Sequence, residues 1–118
     1  MEIGKVIKQL RIRKGYNQNE LAKLCDLSQT ALSQIETGAT SPHDSNLEII
    51  AEKLGVPKPV IYFLCLDEND VPEERRESFR VFYPVIQRMI DQIYLPNSGE
   101  VVNRFDSALS SFNSEKVK

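Results

Sequence analysis

The residues with the most chemistry to offer lie in one eleven-residue stretch, Ser28-Gln29-Thr30-Ala31-Leu32-Ser33-Gln34-Ile35-Glu36-Thr37-Gly38. Wound as a helix at about 100° per residue, Gln29, Thr30, Ser33, Gln34 and Thr37 share one arc, and Ala31, Leu32 and Ile35 share the opposite one. The first arc carries amides and hydroxyls and no full charge. Solvated helix faces more often use Lys and Glu, which are better helix formers. A Gln amide can pair bidentately with N6 and N7 of adenine, and Thr can touch a thymine methyl. The chemistry on offer is the hydrogen-bonded reading of base edges. A polar surface helix that binds nothing would carry the same residue types, and these eleven residues do not separate the two readings.

Covalent and metal chemistry are poorly served. His43 is the single histidine, so no Ser-His-Asp arrangement can be drawn. Cys25, Cys65 and His43 have no recognisable ligand spacing, and no Gly-rich phosphate loop is present. An enzyme, a cofactor and a metal are therefore not expected. Both cysteines sit in apolar contexts, as small buried hydrophobes of a reducing compartment do. The longest apolar run, residues 60–66, is far short of a membrane span. Lys5, Lys8, Arg11, Arg13 and Lys14 leave no signal-peptide pattern, so the expected place is the cytoplasm and its nucleoid, with no membrane partner. The 118 residues, 41% hydrophobic, suffice for one core with an appendage. Net charge is −2, with 8 Lys/Arg against 7 Asp/Glu in residues 1–66 and 7 against 10 beyond. Nucleic-acid binding would have to come from local placement of groups rather than from bulk charge.

The elements that must position the stretch read as all-α. Ile3, Val6, Ile7 and Leu10 form an i, i+3, i+4, i+7 stripe and predict a helix over residues 2–14, closed by Gly15. Asn17, with Glu20 three residues on, forms a capping-box pattern for a short second helix. Leu21, Ala22, Leu24 and Cys25 give that helix its buried side. Asp26-Leu27 make a tight turn into Ser28, a good N-cap, and Gly38 supplies the C-cap. Two short helices joined this tightly make a helix-turn-helix. After the loop of residues 39–44, Ser45 with Glu48 predicts a cap and box for a fourth helix, which Gly55 ends. Val56-Pro57-Lys58-Pro59 starts a fifth, since proline is tolerated in a first turn.

Gly15-Tyr16-Asn17-Gln18, Glu20-Leu21-Ala22, Leu27-Ser28-Gln29, Ser33-Gln34-Ile35-Glu36-Thr37-Gly38 and Leu54-Gly55-Val56 together resemble the lambda-repressor-like helix-turn-helix family, the XRE group of bacterial and phage regulators. The resemblance covers residues 3–66. It implies a five-helix DNA-binding domain working as a homodimer on a near-palindromic double-stranded operator, most simply as a repressor. Carried over position by position, it implies that Gln29 and Gln34 read bases, with Thr30 and Ser33 at variable base or phosphate positions. It places Asn17, Gln18 and Ser28, and a second group of Thr37, Thr40, Ser41 and His43, at DNA phosphates. Arg11 and Glu36 match an internal ion pair, the alternative for Arg11 being a DNA-facing arginine. The chain departs from the family at the tight turn, where Asp26 replaces the usual glycine. Asp tolerates the left-handed conformation better than most residues, so the turn should survive.

Residues 1–66 are thus expected to be the DNA-binding domain, and residues 67–71 an acidic hinge. Residues 72–113 form a C-terminal helical oligomerisation segment and residues 114–118 a frayed tail. Residues 72–94 read as one long helix that Pro84 should kink or split. Phe79, Phe82, Ile86, Met89 and Ile93 are spaced as an a/d heptad seam. A final short helix is marked by Val101, Val102, Phe105, Leu109 and Phe112. The seam needs a cover, and a second copy is the expected one. Folding back on residues 1–66 or capture of another protein are the alternatives. An antitoxin that represses its own operon and grips a toxin through this segment is the second functional reading. A scaffold that no longer meets DNA is the third.

Overall fold

The apolar stripe of residues 3–10 becomes α1 (Ile3–Arg13), and Gly15 turns the chain with φ +84°. In the computed structural model, which describes residues 1–95, α2 (Gln18–Leu24), α3 (Gln29–Thr37), α4 (Asp44–Leu54), α5 (Lys58–Leu64) and α6 (Arg76–Tyr94) follow. The regular elements among the described residues are all helical. The expected final helix of residues 101–112 and the tail lie outside the described residues.

The core is drawn from every early helix. Val6, Ile7 and Leu10 meet Leu21, Ala22 and Cys25, Leu32 and Ile35, Leu47, Ile50, Ala51 and Leu54, then Val56 and Ile61. Asp26 takes the left-handed conformation at φ +56°, so the α2–α3 turn forms without glycine. Leu24 does not join the buried side expected of it and is 44% exposed. On so short a helix only the Leu21–Ala22–Cys25 arc can face α3 and α4.

The cap of the fourth helix also differs from expectation. α4 starts at Asp44 with His43 at the N-cap and no side-chain capping bond, so Ser45 and Glu48 form no capping box. Asp44 takes the first helical position instead. There its carboxylate meets the positive end of the helix dipole and accepts from Lys58 Nζ on α5 at 3.1 Å.

The approach to α6 is structured. Asp67 caps a 3-10 turn, Glu68–Asp70, accepting from the Asn69 N–H, while its own N–H donates to Asp70. Residues Glu73–Arg75 form a second 3-10 turn rather than the start of the α-helix. Arg76 Nε donates to the carbonyls of Glu68 and Val71, and Arg80 Nε reaches Glu68 Oε2 at 2.7 Å. The helix then runs through Pro84 unbroken, so of the expected kink or split the split does not occur. Pro84 and Arg80 are both exposed, so the Arg80 carbonyl that proline leaves unpaired is open to water.

α6 lies back on the five-helix unit along one face and leaves another bare. Tyr83 Oη donates to the Phe63 carbonyl at 3.0 Å, and its ring packs between Phe63 and Phe79. Further along, Asp91 accepts from Arg13 of α1 at 3.0 Å. Just past the helix, Leu95 enters the core built by the first five helices, with Tyr94 packed beside it. Of the five heptad positions Phe79 turns toward this docked side, while Phe82, Ile86, Met89 and Ile93 are 40–63% exposed.

Candidate nucleic-acid interface

α3 is fixed at both ends by its own sequence. Ser28 Oγ accepts from the Ala31 N–H at 3.0 Å, and Gly38 closes the helix at φ +84°. Leu32, Ile35 and Glu36 are buried beneath it. Gln29, Thr30, Gln34 and Thr37 are exposed and Ser33 is half-buried, so the expected polar arc faces outward. Thr37 Oγ1 donates back to the Gln34 carbonyl at 3.2 Å.

Beneath that arc lies a buried ionic brace. Arg11 Nε donates to Glu36 Oε2 at 2.7 Å and Arg11 Nη2 to Oε1 at 3.0 Å, a two-pronged geometry that suits guanidinium and carboxylate. Arg11 Nη1 donates to the Tyr16 carbonyl at 3.0 Å. Arg11 and Glu36 are 8% and 4% exposed, so both members of the pair lie inside the domain. The Gln18 amide joins the cluster, donating to Glu36 Oε1 at 3.2 Å. Its side chain is thereby turned inward, while its backbone N–H remains one of the unpaired donors that a helix N-terminus offers to an anion.

Gly4 is the residue that the sequence reading missed. A Cβ there would run into the Ile35 carbonyl and lie 2.9 Å from the Glu36 carbonyl. The lack of a side chain lets α1 press directly on the last turn of α3. The signal was present, since a lone glycine inside a helical stripe costs about 1 kcal/mol against alanine and so points to a close approach.

The remaining phosphate candidates surround α3. Asn17 and Glu20 form the expected reciprocal box, with Asn17 Oδ1 accepting from the Glu20 N–H at 2.8 Å and Glu20 Oε1 from the Asn17 N–H at 2.9 Å. The Asn17 amide nitrogen is left over from this exchange. Thr40, Ser41 and His43 are exposed on the following loop, whose path is held by the Thr40 N–H donating to the Gln34 carbonyl. Residues 28–43 contain no Lys or Arg. This surface offers neutral donors and helix-end N–H groups in place of a strong positive field.

Cys25 is buried and Cys65 half-buried, and desolvation pushes both thiols above their ordinary range. A thiol so raised is a poor nucleophile at neutral pH, in keeping with a packing role. Among the described residues no group of three or more His, Cys, Asp and Glu is placed to hold a metal ion. No helix among them is long and apolar enough to cross a membrane.

A tight helix-turn-helix with an outward polar second helix, packed within a five-helix unit, defines a class of DNA-binding regulators. The chain belongs to the XRE-type helix-turn-helix family, whose model, described as helix-turn-helix, matches residues 7–61, from within α1 into α5. It is 39% identical over 65 residues to the control protein C.BamHI of Bacillus amyloliquefaciens, a stretch covering 53% of this chain and 80% of that protein. No solved structure gives a significant match. The protein is a DNA-binding transcriptional regulator.

Proposed function

We propose that the protein is a repressor that binds a near-palindromic operator as a homodimer in the cytoplasm, on the nucleoid, with α3 in the major groove. The observation that carries this reading is the uncharged, outward arc of α3 set rigidly on the Arg11–Glu36 brace. Gln29 and Gln34 read bases, and Thr30 and Ser33 read bases or the adjoining phosphates. Phosphates are met by Asn17, the Gln18 backbone N–H and Ser28 on one side, and by Thr37, Thr40, Ser41 and His43 on the other. With few cations, affinity should depend on salt less steeply than in binders that neutralise many phosphates.

The homodimer is supported by the bare face of α6. Phe82 and Ile93 are 62% and 63% exposed, with Ile86, Met89, Val81 and Val85 around them. Burying a large apolar side chain contributes about 1.5–3 kcal/mol, so a two-fold pairing of these faces has ample driving force. Phe79 borders the pairing from the docked side. Two copies of α3 would then meet successive major grooves, about 34 Å or one helical turn apart. The same exposure supports an antitoxin reading in which a toxin's apolar surface covers the seam.

Selection of bound DNA from random sequence, followed by affinity measurement, tests the assignment. Gln29→Ala and Gln34→Ala should each lose about 1–3 kcal/mol on the selected operator and relax preference at one base position. Wild-type affinity and preference in both variants would refute the base-reading role.

A further inference from the structure

We infer that Tyr83 and Asp91 are positioning residues that set which half-site spacing the regulator accepts, an inference that rests on the α6 homodimer. Seen down α6 at about 100° per residue, Tyr83 lies about a quarter turn and Asp91 about half a turn from the centre of the bare seam. One helix therefore meets the DNA-binding unit on one side and would meet the second copy on the other. The angle at which α6 is fixed to its own unit becomes the angle between the two α3 helices.

That fixation combines apolar packing, from the Phe63, Tyr83 and Phe79 rings and from Leu95 and Tyr94 at the core, with two polar joints. Tyr83 Oη is bonded to the Phe63 carbonyl at the end of α5, and Asp91 is paired with Arg13 at the end of α1. Between the two joints lies Pro84, which removes one helical hydrogen bond and leaves the helix able to bend. Tyr83 holds the rod beside the weak point, and Asp91 holds it two turns beyond. Neither residue belongs to the α3 surface or to the bare seam, so both can be changed without touching DNA or the second copy. Recognition geometry generally has to be held to about 0.5 Å and 10–20° by its supports. One inserted base pair moves a half-site by about 3.4 Å and turns it by about 35°, well outside that tolerance. A unit held at both joints should accept one spacing, and a unit left with the apolar packing alone should accept several.

The experiment uses the full chain and the selected operator with its centre lengthened or shortened by one to three base pairs. Wild type should lose at least about tenfold in affinity when two base pairs are inserted. The variant Tyr83→Phe/Asp91→Ala, which keeps the aromatic stack, should lose less than about threefold. Its affinity for an isolated half-site and its sedimentation as a dimer should equal those of wild type. The exchange Arg13→Asp/Asp91→Arg, with Tyr83 intact, should keep strict spacing, because both joints are then present. An unchanged spacing profile in the double variant overturns the inference while leaving the homodimer in place. So does a variant that binds single half-sites poorly or fails to dimerise, because the residues would then act on stability or association. A wild-type chain that sediments as a monomer overturns the homodimer itself, and is seen before any spacing is varied.

Discussion

Replacing Arg11 with alanine removes three hydrogen bonds from beneath α3. Glu36 loses both guanidinium contacts, at 2.7 and 3.0 Å, and keeps only the Gln18 amide at 3.2 Å. The Tyr16 carbonyl loses its donor. The side chains of Arg11 and Glu36 are 9% and 2% exposed, so solvent cannot take over either role. Stranding one member of a buried pair costs about 3–5 kcal/mol. Domains of this size hold about 5–15 kcal/mol in total, and each kcal/mol moves their melting temperature by about 4–8 °C. Arg11→Ala should therefore lower the melting temperature in the absence of DNA by at least about 12 °C, followed by circular dichroism. Arg11→Met/Glu36→Leu removes both charges together, and an apolar replacement of a buried pair is often nearly neutral. The double variant should lose only the Tyr16 and Gln18 bonds, about 1 kcal/mol each, and a double-mutant cycle should show strong coupling. An unchanged melting temperature for Arg11→Ala, combined with weakened DNA binding, would place Arg11 at a phosphate. A double variant as damaged as the single ones would show that packing, not stranded charge, is what matters.

Other outcomes follow from single contacts. Gly4→Ala must push α1 off the carbonyls of Ile35 and Glu36, and overpacking of this kind costs about 1–3 kcal/mol. Urea unfolding should register that loss although alanine is the better helix former, and a stabilised variant would refute the close approach. Ile86→Glu or Phe82→Glu alters only the exposed face of α6, so the chain should stay folded with its helical content kept, lose the stabilisation that pairing adds and sediment as a monomer, and continued dimerisation would move the interface elsewhere. Arg80 holds the Glu68 carboxyl below the ordinary carboxylate range. Because the folded value is lowered, this contact stabilises the fold above the unfolded value of about 4.3 and is lost as pH falls through the folded value. Arg80→Ala should move the Glu68 titration, followed by NMR of its side-chain carboxyl carbon, back up toward that value.

Much of this molecule is written locally. The α1 stripe, the Asn17–Glu20 box, the Ser28 cap and the glycines at 15, 38 and 55 depend on neighbours a turn away, so spacing alone reveals them. The outward arc of α3 follows as well, because its apolar residues must face a core wherever that core lies. The Arg11–Glu36 pair required the family resemblance, since nothing in the spacing of two residues 25 apart says that they meet. What only the tertiary structure decided is where surfaces touch. Gly4 is informative only once α3 lies across it, and Gln18 turns inward only because Glu36 is within reach. That Asp44 at the start of α4 meets Lys58 of the next helix is likewise visible only in the folded chain. The apolar arc of α6 is wide enough to serve two contacts, and a periodic stripe does not specify which part docks and which stays bare. Tyr83 and Asp91 settle that division by meeting Phe63 and Arg13, partners 20 and 78 residues away that no local pattern can supply.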